Sequence, residues 1–368
     1  MDFQLTEEQV AIGDMANGLF ADFCSDEQLL AFTEAGKTFM DDAWTAATET
    51  GLTNLFVPEQ LGGSGLGMQD LMVVLTAQGR HLVQIPLWRN QVAIALLGEK
   101  LPSSLAPLLE KAAAGEDMIT VATAQHIQSQ GFALSVDERG LASGVSVAVA
   151  DVDKSRYALL PAAKNGETVL VLVDLTQSQI QLEHGEMNHG GTVADIQCDA
   201  VEPLAILDQD AWLELNTLAI ACQASIQLGV SERQLERTVE YVSERVQFER
   251  PIGSFQAVQM SLADCHIAVE ALRSCLWQLC YRIDAKQSTT SEALATAYHA
   301  CETGHIVGHK AQHVHGGFGV DISYPIYRFL YWSREISVSL GGSRAILEEL
   351  GDWLSDNDVL GWKYDLEE

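Results

Sequence analysis

At 368 residues the chain is too long for one small core, and one large or two to three smaller packed units are expected. Hydrophobic residues at 47% and charged residues at 20% are ordinary for a globular protein, and no apolar run is long enough to read as a transmembrane helix. A formal charge of −30, from 51 acids against 21 bases, excludes nucleic acid and an anionic membrane surface as natural partners, and any phosphate site must be local.

The first residues, Met1-Asp2-Phe3-Gln4-Leu5-Thr6-Glu7-Glu8, are acidic and lack the apolar stretch of a signal peptide. Seven scattered cysteines (Cys24, Cys198, Cys222, Cys265, Cys275, Cys280, Cys301) are odd in number and form no CxxC pair. Reduced thiols in a cytoplasm are expected, with neither a disulfide framework nor a zinc site.

In chain order, Thr6 followed by Glu7-Glu8-Gln9 opens a helix through Ala21. A second helix begins at Asp42-Ala43-Trp44 and stops at Gly51. Pro58 to Gly65 is a turn-rich loop, Met68 to Gly79 resumes helical spacing, and more helix runs from Pro86 to Gly115. Between Ile119 and Ile206 the pattern changes to short runs of Val, Ile and Thr, such as Val145 to Val149 and Thr168 to Val173, separated by Gly, Asn and Asp. That is the pattern of an antiparallel β-domain. From Asp208 the spacing is helical again. Trp212 to Gln247 reads as one long helix, interrupted at most near Gly229, with Phe255 to Ala285 and Ser291 to His315 following. Such segments form a bundle. The acidic tail from Ser355 is expected to be extended. The order is not the βαβ alternation of a dinucleotide-binding unit, and no GxGxxG occurs.

Two motifs carry chemistry. The first is Arg245-Val246-Gln247-Phe248-Glu249-Arg250-Pro251-Ile252-Gly253-Ser254-Phe255-Gln256 and the second is His315-Gly316-Gly317-Phe318-Gly319, followed by Tyr324-Pro325-Ile326-Tyr327-Arg328. An arginine offers a bidentate fork to a pyrophosphate. Paired glycines let backbone approach a ligand with no Cβ in the way. Phe248 adds an aromatic face and Gln256 an amide. The bland alternative is that Arg245 pairs with a surface acid and the glycines merely end a helix.

These segments resemble the R-x-x-F-G-x-P-I-G-x-F-Q and Q-x-H-G-G-x-G motifs of the acyl-CoA dehydrogenases, and Pro58 to Gly65 resembles that family's P-E-x-x-G-G-x-G loop. The resemblance spans nearly the whole chain. It implies FAD as cofactor, with Arg245, Phe248, Gln256, His313, Gly316 and Gly317 serving an FAD held mainly by a neighbouring subunit. His313 stands where the family's glutamine falls, with Gln312 displaced by one. His305, His309 and His313, near Glu302, recur at helical spacing, but three ligands on one straight helix do not converge on one ion, so no metal site is expected.

The departures are selective. The family removes an α-proton with a carboxylate while hydride passes to the flavin, and that base must lie within hydrogen-bonding reach. The position of its E-G-T glutamate is occupied by Leu340, in Leu340-Gly341-Gly342, and the alternative position by Ala219 beside Ile220. Glu214 and Glu335 are the nearest acids in sequence. Where the family has T-E-P-x-A-G-S-D this chain has Thr120 to His126, and Ala148-Val149-Ala150-Asp151 replaces the W-I-T-N strand that covers the isoalloxazine ring.

The resemblance therefore implies an α+β, mainly α, acyl-CoA dehydrogenase-like fold: an N-terminal helical domain over 1–116, a central antiparallel β-domain over 117–207 and a C-terminal four-helix bundle over 208–368. It implies a chain with no catalytic residue of its own, similar to the small subunits of heteromeric acyl-CoA dehydrogenases known for bulky CoA thioesters such as steroid side chains. The expected partners are a homologous catalytic subunit and an acyl-CoA bound mainly by that subunit. Two other readings stay open: a homo-oligomeric dehydrogenase with an unrecognised base, and a non-enzymatic flavin- or CoA-binding scaffold.

Overall fold

The computed structural model describes residues 4–123 and 134–357. Thr6 caps the first helix, α1 (Glu7–Phe23), by a reciprocal pair of hydrogen bonds with Gln9. Ser25 and Gln28 do the same for α2 (Asp26–Glu34), a short helix the sequence reading left out. Helices α3 (Asp41–Glu49), α4 (Met68–His81), α5 (Leu87–Lys100) and α6 (Ala106–Ala113) complete the N-terminal part.

Strands follow: β1 (Met118–Val121), β2 (Ser135–Val136), β3 (Ala142–Ala150), β4 (Ser155–Lys164), β5 (Glu167–Asp174), β6 (Ile180–Glu186), β7 (Thr192–Val201) and β8 (Ala205–Leu207). They form one sheet in the order β6-β7-β3-β2-β4-β5-β8, with β1 beside β4. Its long ladders, β3–β7, β4–β5 and β6–β7, are antiparallel as expected, whereas β1 and β2 run parallel to β4. Both faces of the central strands are apolar. Leu159, Leu170 and Leu172 join the helical core, and Ala158, Leu160, Val171 and Val173 build a second core on the opposite face. This is the two-residue periodicity of a strand.

The C-terminal bundle consists of α7 (Gln209–Glu244), α8 (Gln256–Asp284), α9 (Thr290–His315) and α10 (Ile326–Ser339), with α11 (Ser343–Asp356) packed on α9. Helix α7 runs through Gly229 without a break. A Cβ there would lie 1.9 Å from the Thr76 carbonyl oxygen of α4. The glycine is required by the close crossing of α4 and α7, and does not mark a helix interruption. Ser355 and Asp356 extend α11, and the rest of the acidic tail, 358–368, lies outside the described residues. Among the described residues no helix is long and apolar enough to cross a membrane.

Candidate functional site

The first motif folds into an exposed hairpin at the end of α7. Strand β9 (Val246–Gln247) pairs with β10 (Arg250–Pro251), and Phe248 and Glu249 form the two-residue turn with φ of 52° and 66°. Successive left-handed residues suit the right-handed strand twist, but they normally demand glycine or asparagine. Glu249 stands where the family pattern has glycine, so this turn is strained. The Phe248 ring is 87% exposed at its tip.

Arg245 ends α7, and its carbonyl accepts the Ile252 N–H at 2.8 Å, which holds the hairpin root. Its guanidinium lies 5.7 Å from the Phe318 ring centroid. Among the described residues no carboxylate pairs with it. The second motif therefore sits beside the first. Gly316 ends α9 with φ 59° and ψ −131°, a conformation closed to L side chains, and no heavy atom faces its missing Cβ or that of Gly317. Gln256 opens α8 and is exposed, as is His313. The displaced Gln312 cannot replace His313. Its amide is turned inward, both side-chain polar atoms are buried, and its oxygen would lie 2.5 Å from a Cβ on Gly319. His315 is buried as well, stacked on Tyr241 at 4.3 Å, with Nδ1–H donating to the Ala311 carbonyl.

The histidine stripe lies on α9. His305 and His309 rings lie 4.4 Å apart, and His309 Nε2 is 3.2 Å from Arg334. A guanidinium at that position repels a metal cation, and no metal-ligating group of residues is present among those described.

The internal cleft, between α5, the end of β3 and α10, is a different environment. Leu340 caps α10 and is 1% exposed; Ala219, on α7, is fully buried. Neither can accept a proton. Glu214 is bound to Lys100 at 3.0 Å on another face of the molecule. Glu335 lines the cleft with Gln223 and Ser339, and burial raises its carboxyl pKa against the opposing field of Arg89. Asp151, at the end of the segment replacing W-I-T-N, has φ 58° and pairs with Arg89 at 2.8 Å. Thr123 Oγ1 meets Ser339 Oγ at 3.3 Å, joining the β-sheet region to α10. Of the other eroded stretch, Ala124 to His126 lie outside the described residues. His189 meets the edge of Trp332 at 5.0 Å. What remains is a cavity of about 80 Å³, far below the ~300–1,000 Å³ of ordinary small-molecule sites. Arg89, His189 and Trp332 carry no recognisable motif, and sequence reasoning missed them.

Comparison with known proteins identifies the family. The acyl-CoA dehydrogenase N-terminal domain model matches residues 6–99 and the C-terminal domain model residues 215–355. Acyl-CoA dehydrogenase FadE27 of Mycobacterium tuberculosis is 29% identical over 97% of this chain and 99% of the relative. Two solved structures overlay closely. The Tcur3481-Tcur3483 steroid ACAD has a TM-score of 0.88 at 32% identity, over 95% of this chain and 98% of that one. The ChsE4-ChsE5 complex from Mycobacterium tuberculosis has a TM-score of 0.89 at 28% identity, over 97% and 100%. The chain belongs to the acyl-CoA dehydrogenase family, whose members are oxidoreductases with FAD as cofactor.

The residues present fit that cofactor at one place and not at another. The open surface of Arg245, Gly316 and Gly317 offers a cation and unobstructed backbone, as a pyrophosphate requires. The inner cleft, at about 80 Å³, is smaller than an ordinary small-molecule site and is lined by the Arg89–Asp151 pair.

Proposed function

We propose that this chain is the non-catalytic subunit of a heteromeric FAD-dependent acyl-CoA dehydrogenase, completing the cofactor site of a homologous catalytic partner. The observation that carries the reading is the contrast between its two faces. The inner cleft is small and lined by the Arg89–Asp151 pair, and a buried Leu340 stands at the family's base position, while Arg245 and the Gly316-Gly317 turn stay open.

Arg245, Gly316, Gly317, Gln256 and His313 hold and orient the phosphate end of an FAD whose ring lies in the partner. Phe248 and Phe318 provide aromatic faces at its side. FAD bound in this way supplies the hydride acceptor for α,β-desaturation of the thioester. The proton is taken by a glutamate of the partner, which also binds most of the acyl-CoA. This chain excludes water from the interface and moves no proton itself.

Exposed apolar residues support a subunit contact. Val246, Phe248, Phe318, Val320 and Ile322 lie on the hairpin and the turn after α9, and Met260 and Ile267 lie on α8. Exposed apolar residues in such number fit a protein interface better than a free surface. The solved relatives that are complexes, one titled a steroid ACAD, favour a heterotetramer acting on a lipid or steroid CoA thioester. In the test, the chain is co-purified with a homologue that keeps the glutamate, and acyl-CoA oxidation is assayed. Turnover by the pair, its loss on changing the partner's glutamate to glutamine, and none by this chain alone support the reading. Turnover by this chain alone refutes it.

A further inference from the structure

A second cavity, of about 320 Å³, lies beside the inner cleft but is separate from the Arg245 surface. It is enclosed by α2 and the segment after it, by the turn joining β6 to β7, and by α10. Its lining mixes polar side chains with apolar and aromatic ones, Leu29, Phe32, Leu82, Tyr331 and Trp332 among the latter.

Three polar side chains on this lining each carry a buried nitrogen without a hydrogen-bond partner. Arg328 is 8% exposed and its Nη2 makes no hydrogen bond. Gln84 Nε2 and His189 Nδ1 are buried and also unpartnered. A buried guanidinium nitrogen without an acceptor costs a substantial desolvation penalty. The nearby Asp26 carboxylate attracts the guanidinium, but both its oxygens already accept from Arg237, at 2.8 and 2.6 Å. Lys37 and Glu186, which also line the cavity, are both exposed at its edge. The guanidinium also lies over the Tyr327 ring, at 5.4 Å.

We infer that this cavity is a binding site for a small carboxylate with an apolar body, its carboxylate held by Arg328 and Gln84 and its body by the aromatic wall. The guanidinium selects an anion, and Gln84 Nε2 supplies a second donor. His189, neutral in this setting, can give or accept one further hydrogen bond. The volume, at the low end of the ~300–1,000 Å³ typical of ligand sites, suits a compact acid and excludes an intact CoA thioester. The inference does not depend on the subunit role proposed above.

Isothermal titration of the full chain with 3-phenylpropanoate, hexanoate and neutral 3-phenylpropanamide tests it. Saturable single-site binding of an acid is expected, with the amide roughly tenfold or more weaker and Arg328→Gln weakening the acid by a similar factor. Trp332→Phe should remove the fluorescence change that accompanies binding. If Arg328→Gln does not fold, Gln84→Leu takes its place and should weaken acid binding several-fold. The site is overturned if neither acid binds the folded wild-type chain at millimolar concentration. It is equally overturned if acid binding is undiminished in Arg328→Gln or, failing that, in Gln84→Leu.

Discussion

Arg89 Nη1 lies 2.8 Å from Asp151 Oδ2, and this pair ties α5 to the end of β3 in the lining of the internal cleft. The two side chains are 18% and 24% exposed. Removing one partner of a buried pair costs about 3–5 kcal/mol, and partial solvent access reduces that to about 1–3 kcal/mol here. Asp151→Ala should therefore lower stability by that amount in urea unfolding. The double change Arg89→Leu with Asp151→Leu should be less costly than the sum of the single changes. Strict additivity would show that the pair does not couple.

Acid should weaken the chain through His189. Burial, reinforced by Arg89, lowers its pKa from 6.5 to about 4. The unfolded imidazole thus binds a proton that the folded one refuses between those values. The stability contributed is complete above pH 6.5 and is lost as pH falls toward 4, at up to about 1.4 kcal/mol per pH unit. His189→Gln should reduce the difference between urea midpoints at pH 7 and pH 5, with part of the remainder carried by His81, whose pKa burial also lowers to about 4. An unchanged pH slope in that variant would contradict the assignment.

Phe248 tests the partner surface. At 87% exposure it contributes little to the fold, so Phe248→Ser should change the stability of the isolated chain by no more than about 0.5 kcal/mol. An aromatic anchor at an interface is worth about 2 kcal/mol or more, so the same change should weaken association with the catalytic subunit more than tenfold. Sedimentation equilibrium of wild type and variant decides between this and a solvent-facing loop.

Much of this was legible in the sequence, for identifiable reasons. The two motifs and the change from helical to strand spacing are local patterns, and β1 begins at Met118 and β8 ends at Leu207, close to where the spacing changes. The parallel placement of β1 against β4 was not legible, since strand direction is set by the chain path and not by residue alternation. Gly229 suggested a break because its partner, the Thr76 carbonyl, is distant in sequence. The expectation that Leu340 stands at the base position comes from counting along the motif and belongs to the proposal. The pairing of Arg89, from α5, with Asp151 depends on a contact between residues far apart in the chain. Helix α2 was missed although Ser25 and Gln28 spell a capping box, because its short apolar face gives little periodic signal.

Arg245 and Leu340 should separate cofactor retention from chemistry in the assembled enzyme. Arg245→Ala removes a charge-assisted contact worth about 1.5–3 kcal/mol, so flavin affinity should fall roughly tenfold or more. Leu340 is 1% exposed, and alanine there would cost about 2–5 kcal/mol by cavity formation. Leu340→Met, which keeps the volume, should leave turnover nearly unchanged. Loss of turnover in a folded, flavin-loaded Leu340→Met complex would count against the division of roles.

The central claim concerns where the flavin resides, and the flavin absorbance of this chain purified alone and again with its catalytic partner measures it most directly. The chain alone should be essentially colourless, since its own cleft of about 80 Å³ is smaller than an ordinary small-molecule site. The complex should be yellow, and Arg245→Ala in this subunit should reduce its flavin content. A yellow, flavin-replete preparation of this chain by itself, oxidising an acyl-CoA, would contradict the account.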